Sequence, residues 1–145
     1  MGFTQAIQTC LRKYFVFQGR ASRSEFWWFA LATTVISIVL SIIEGWAFDL
    51  DYDAFMPISD TFSILTTIPS ISVGCRRLHD INKSGWWQVL PIAPLILAGI
   101  LYVTGIGGLI TIGIIIAVLT IILLIYWFVK KGAQGDNRFG ADPLA

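Results

Sequence analysis

At 145 residues, 56% hydrophobic and with a formal net charge of +1, the chain has room for one compact membrane domain and little soluble mass. A soluble all-helical domain is excluded by the run LITIGIIIAVLTIILLIYWFV near the C-terminus, which is apolar on every face where a soluble helix needs a polar one. No nucleic acid partner is expected.

The chain opens with an amphipathic segment over 3–17, where Phe3, Ile7, Cys10, Leu11, Tyr14 and Phe15 recur at intervals of mostly three or four while Thr4, Gln5, Gln8, Arg12 and Lys13 occupy other faces. So close to a membrane span, it is expected to lie at the inner interface as a helix. Residues 14–17 are too short an apolar stretch for the core of a cleavable leader, and Ala6 stands where a myristoylation signal needs Ser or Thr. Gly19 permits a turn, and Ser22 with Glu25 three residues on fits a capping box, so a helix should begin near Ser22 or Arg23. Glu25 is thereby explained as a cap that also has basic neighbours to pair with.

Four spans are expected, at about 24–43, 58–75, 86–104 and 109–129, each close to the 20 or so residues that cross a bilayer core of about 30 Å. The second is the most polar: Asp60 lies near its start, and Thr66, Thr67, Ser70 and Ser72 form a stripe around Pro69, which frees the Leu65 carbonyl. Ser and Thr commonly serve packing between membrane helices. As a polar pathway, Thr66, Thr67 and Ser70 are the residues to watch, but no span centre carries the ionisable side chain that ion coupling usually leaves at membrane depth. Gly105, Gly107 and Gly108 suit the tight turn between the last two spans, and Gly113 would permit close helix packing.

All ten Lys and Arg residues fall on one side of such a bundle: Arg12, Lys13, Arg20 and Arg23 before the first span, Arg76, Arg77 and Lys83 between the second and third, and Lys130, Lys131 and Arg138 after the fourth. The opposite side carries Glu44, Asp49, Asp51, Asp53 and Asp60. Bases near span ends resist translocation, so both termini and the middle loop are expected in the cytoplasm, with 130–145 as a cytoplasmic tail. Trp27, Trp28, Trp86, Trp87 and Trp127 fall at the same inner boundary and Trp46 at the outer one, where indole rings prefer to sit.

The middle loop concentrates the chemistry: Arg76, Arg77, His79, Asp80, Asn82, Lys83 and Ser84 within a dozen residues. Its bases have a topogenic reason to be there, and adjacent His79 and Asp80 point in different directions, so the dipeptide is no acid and base dyad. Cys10 and Cys75 are expected to be reduced thiols. Cys75, His79 and Asp80 lack the repeated short spacing of a zinc site, so no metal and no cofactor are expected. With no nucleophile motif, phosphate-binding glycine loop or paired carboxylates, the chain is not read as an enzyme.

The segments FQGRASRSEFWW, RRLHDINKSGWW and KKGAQGDNRFGADP, in this order and separated by hydrophobic pairs, resemble the domain of unknown function 805 family, small bacterial inner-membrane proteins of the YhaH type. The resemblance covers essentially the whole chain and implies a multi-pass protein of the bacterial inner (plasma) membrane, with no established activity to carry over.

Because all three segments share one face, they can converge on a cytoplasmic patch of Arg20, Arg23, Glu25, Arg76, Arg77, His79, Asp80, Asn137, Arg138 and Asp142 that docks the tail against the middle loop. The expectation is therefore a single membrane domain over 1–145: an all-α integral membrane protein of four transmembrane helices, N-in and C-in, with an N-terminal interfacial helix. It would act as a non-enzymatic scaffold or regulator, with anionic lipid headgroups, a membrane or cytoplasmic protein, or a second copy of itself as partner. The alternative is a small oligomeric transporter or channel using the polar second helix.

Overall fold

In the computed structural model, which describes residues 1–48, 56–103 and 107–144, the chain is helical and no strand is formed among the described residues. The helices are α1 (Phe3–Arg12), α2 (Arg23–Phe48), α3 (Pro57–Asp80), α4 (Ile92–Val103) and α5 (Gly107–Val129), with a 3-10 turn at Gly85–Val89 leading into α4. By length and apolarity three stretches qualify as membrane spans: Arg23–Phe48, Gly85–Val103 and Ile110–Val129, with mean hydropathies of 2.1, 1.7 and 2.9. The acidic residues Asp49, Asp51 and Asp53 and the turn glycine Gly105 lie outside the described residues.

Local chemistry places the helix ends. Ser22 accepts the backbone N–H of Glu25 at 3.2 Å, so α2 starts where the Ser and Glu spacing predicts. The Glu25 carboxylate completes no box of its own; it turns inward to Arg76. At the far end of α2, Glu44 accepts the N–H groups of Ile58 at 2.7 Å and Ser59 at 2.9 Å, two of the orphan donors that open α3. Pro57 occupies the first turn of α3, where a missing N–H costs nothing.

α2 and α3 form an antiparallel hairpin, as the pairing of Glu25 with Arg76, Ser37 with Ser63 and Glu44 with Ser59 shows along its length. α4 and α5 form a second, with Ala98 against Gly113 near the apolar end and Trp87 against Trp127 near the basic one. A Cβ on Gly113 would stand 3.0 Å from that of Ala98, which accounts for glycine at this crossing. The hairpins meet chiefly at the basic end. There Cys10, Ala21, Phe29 and Val73 form one buried cluster and Leu78, Trp127 and Phe128 another, with Phe26 packed against both.

The N-terminal helix is shorter than its periodicity suggests. It ends at Arg12, buries Ala6 and Cys10 against the bundle, and leaves Phe3 and Leu11 exposed. The following segment is strapped to α3: Ser72, fully buried, donates to the carbonyls of Lys13 at 3.0 Å and Val16 at 2.7 Å. The third apolar run is likewise not one α-helix from its start, because Ser84 caps a 3-10 turn first.

Candidate functional site

The basic ends of the helices are joined by Asp80, the last residue of α3, which sits between two arginines. Arg20 approaches Oδ1 with Nε at 3.0 Å and Nη2 at 2.9 Å, while Arg77, one turn back, gives Nη1 to Oδ2. All three side chains are 5% exposed or less, so the two cations and the anion are removed from water together. Such a cluster survives burial only if its other donors are used as well. Arg20 also donates to the carbonyls of Ala133 and Gly135 in the tail, and lies 3.9 Å from Asp142. Arg77 donates through Nε to the Phe128 carbonyl at 3.1 Å and through Nη2 to that of Lys130. Each arginine thus ties a carboxylate on α3 to backbone at the end of α5 or beyond it.

The tail reciprocates. The Ala133 N–H donates to the Asp80 carbonyl at 2.9 Å, and the Asn137 side-chain amide to the His79 carbonyl at 2.9 Å. Arg138 reaches the Asn82 carbonyl at 3.2 Å, and its guanidinium lies 4.7 Å from the centre of the Phe139 ring. That ring stacks flat on His79, with centroids 3.9 Å apart and planes 3° from parallel. Gly135 and Gly140, at φ of 70° and 134°, shape the turn that brings Asn137 and Phe139 into place. Gly132 is required for a different reason: a Cβ there would stand 2.2 Å from Asp80 Oδ2.

His79 is held on every side. Its Nδ1 lies 3.0 Å from the Gly19 carbonyl, which can only accept, so Nδ1 carries the proton and Nε2 is left as an acceptor. Nε2 lies 3.6 Å from the Cys75 thiol. Burial holds the His79 pKa below its ordinary value, partly offset by the Gly19 carbonyl and reinforced by the positive charge of Arg138. Asp142 is lowered too, first by the Leu144 N–H, then by the Gly135 N–H and Arg20, with burial opposing.

Arg76, next to Arg77 in the chain, forms a separate buried ion pair with Glu25. The Cys10 thiol approaches Glu25 Oε1 at 3.9 Å, and burial pushes that thiol up to about 12 with Glu25 adding to the effect. Among the described residues, Nε and Nη2 of Arg76 have no hydrogen-bond partner.

Of the ten residues expected to form a polar patch, Arg20, Arg77, Asp80, His79, Asn137, Arg138 and Asp142 come together in this one network. Glu25 and Arg76 form the neighbouring pair. Arg23 is exposed at the rim, lining a cavity of about 50 Å³ with Asp80, Lys131 and Asp142. Lys83 lies 4.2 Å from the Trp127 ring centre, and Trp127 is itself buried. In the stripe on α3, Thr66 donates to the Phe62 carbonyl, Thr67 to that of Ser63 and Ser70 to that of Thr66, each one turn back. Cys75 and His79, four apart on one helix, do come together as their spacing allows, while the Gly19 carbonyl that holds the imidazole carries no signal in the sequence.

The family model described as "Protein of unknown function (DUF805)" matches residues 14–141. Two proteins of Escherichia coli K12 are similar along most of their length: "Inner membrane protein YhaH", 32% identical over 136 residues covering 92% of this chain and 91% of the relative, and "Inner membrane protein YhaI", 29% identical over 134 residues covering 92% and 90%. A third, "Uncharacterized protein YiiR" of the same strain, is 28% identical over 131 residues, covering 88% and 86%. No solved structure matches the chain.

Proposed function

We propose, since the chain belongs to the DUF805 family, that it is a non-enzymatic scaffold or regulatory protein of the bacterial inner membrane that works through its cytoplasmic face. The observation that carries this reading is the fully buried Arg20, Asp80 and Arg77 cluster, which holds the tail in one fixed shape on the middle loop. Every side chain in it is engaged within the chain, as befits a lock. What the lock presents is a rim of exposed bases, Arg23, Lys130, Lys131 and Arg138, suited to a carboxylate or phosphate partner.

The same reading has four transmembrane helices with both termini in the cytoplasm. α3 is too polar to qualify by composition, but it runs antiparallel to α2 from Glu25 and Arg76 at one end to Glu44 and Ser59 at the other. A helix paired along its length with a spanning helix spans with it, and its 24 residues reach about 36 Å. The hydroxyls of Thr66, Thr67 and Ser70 are satisfied by its own backbone, and that of Ser72 by the strap at Lys13 and Val16, which makes such a helix tolerable in hydrocarbon. An even number of spans also keeps all ten bases on one face, as the preference for cytoplasmic charge requires.

Crosslinking in native membranes followed by pull-down tests the proposal, comparing wild type with an Arg23→Ser, Lys131→Ser variant matched for expression. A defined protein or lipid captured by wild type and lost from the variant supports recognition at the rim. Equal capture by both, or capture of nothing beyond a second copy, counts against it.

The alternative, a small oligomeric transporter or channel, is favoured by one observation: a groove of about 400 Å³ between α2 and α3 lined by Thr33, Ser37, Ser63, Thr66, Thr67 and Ser70. Flux through proteoliposomes that is lost on Thr67→Val would establish it.

A further inference from the structure

Cys75 does not stand alone. Its thiol lies 3.6 Å from Nε2 of His79, the nitrogen left unprotonated because Nδ1 faces the Gly19 carbonyl at 3.0 Å. A thiol, an imidazole and an acceptor that fixes the imidazole tautomer are the components from which a general base activates a sulfur nucleophile. Space is kept for the sulfur: a Cβ on Gly85 would come within 2.0 Å of Cys75 Sγ, so only glycine fits across from it. Cys75 and His79 line a cavity of about 400 Å³ whose other walls include Phe17, Ile71, Trp86 and Val89. That cavity shares Ile71, Gln88 and Val89 with a second of about 470 Å³ that continues between the hairpins past Phe29 and Leu124. Both volumes fall within the roughly 300 to 1,000 Å³ of ordinary ligand sites.

We infer that Cys75 is an acceptor for a fatty acyl group, taken from an acyl thioester at the inner boundary of the membrane, with the acyl chain lying in the apolar cleft between the hairpins. In the step, the Cys75 sulfur attacks the thioester carbonyl carbon as its proton passes to His79 Nε2. The bond from that carbon to the donor sulfur then breaks, and the proton is delivered to the departing thiol. One thioester is exchanged for another, so no oxidant, reductant or further co-reactant is needed. Away from the thiol and imidazole the cleft is walled mainly by Phe29, Ile71, Val89, Ile92, Leu124 and Phe128, with Gln88 and the hydroxyls of Thr33, Thr34 and Ser70 among them, a lining in which an acyl chain can lie. His79 is unprotonated at neutral pH because its burial disfavours the cation, which is the state a base requires. Cys10 supplies an internal contrast of geometry: it is fully buried in the core and its thiol approaches the Glu25 carboxylate rather than an imidazole.

The test incubates the purified full chain in lipid nanodiscs with palmitoyl-coenzyme A and follows the intact mass, with hydroxylamine to release thioesters. Wild type and Cys10→Ser should each gain one hydroxylamine-sensitive acyl group that Cys75→Ser does not gain. His79→Gln should slow the reaction at least about a hundredfold, in line with the loss of a positioned base. The wild-type rate against pH should level off with the ionisation of His79, in a range below that of an ordinary thiol near about 8.5. This profile needs no variant and so stands even if His79→Gln does not fold. The inference is overturned by absence of an adduct, by equal adducts in Cys75→Ser, or by a rate that simply follows free thiol ionisation.

Discussion

The Tyr14 hydroxyl donates to the Leu65 carbonyl, the group that Pro69 deprives of its helical partner four residues on. A defect inside α3 is thus met by a side chain from the segment that follows α1, and Ser72 reinforces the same strap one turn beyond Pro69. An unmet carbonyl is costly wherever water is scarce, so the strap and the proline belong together.

Tyr14→Phe should therefore destabilise the bundle by about 1 kcal/mol in a detergent thermal melt. The same substitution made together with Pro69→Ala should have little effect, because alanine restores a backbone donor to Leu65. A double-mutant cycle reads the coupling between the two positions directly.

Asp80→Ala leaves Arg20 and Arg77 buried without their shared carboxylate, and a loss of about 3 to 5 kcal/mol is expected for breaking such a cluster. Gly132→Ala attacks the same place from the tail side, since its Cβ would stand 2.2 Å from Asp80 Oδ2 and two arginines prevent the carboxylate from moving aside. Limited proteolysis should find the tail cleaved faster in both variants than in wild type.

Docking of the tail should weaken with acid. His79 is held below its ordinary value of 6.5, so the docked state binds its proton less well than the undocked state, and stability present above 6.5 is lost as pH falls. Asp142, lowered from 3.8, acts in the same direction at lower pH, losing its contribution as it protonates. The anisotropy of a fluorophore carried at Leu144→Cys, in a chain otherwise free of cysteine, should be flat above the histidine range and fall below it.

The hydroxyl stripe offers a contrary expectation. Thr66, Thr67 and Ser70 each bond to their own helix, so Thr67→Val and Ser70→Ala should change stability by less than about 1 kcal/mol and leave any partner capture intact. A large loss of function at these positions would favour the channel.

Composition and charge were enough to mark the apolar runs, the amphipathic start and the face on which the network forms, because hydrophobicity and topogenic charge act over whole segments. Ser22 likewise announced the start of α2 through a local bond. What could not be read was which partner each charge takes. Glu25 reads as a local cap but pairs with Arg76, 51 positions away, and Glu44 reads as an outer-face acid but caps α3. Gly132 and Phe139 sit in a stretch with no helical period, and their roles depend on Asp80 and His79 being brought to them by the fold. Cys75 and His79 were legible by spacing alone, but the Gly19 carbonyl that fixes the imidazole comes from a different segment.

The most direct measurement is amide hydrogen exchange of the tail in nanodiscs, resolved at Ala133, Asn137 and Gly140, whose N–H groups bond to the carbonyls of Asp80, Gly140 and Asn137. A tail locked to the middle loop shows protection of all three in wild type, with Ala133 losing it in Asp80→Ala. Exchange of the wild-type tail at the rate of an unstructured peptide would contradict the lock and, with it, the proposed scaffold role.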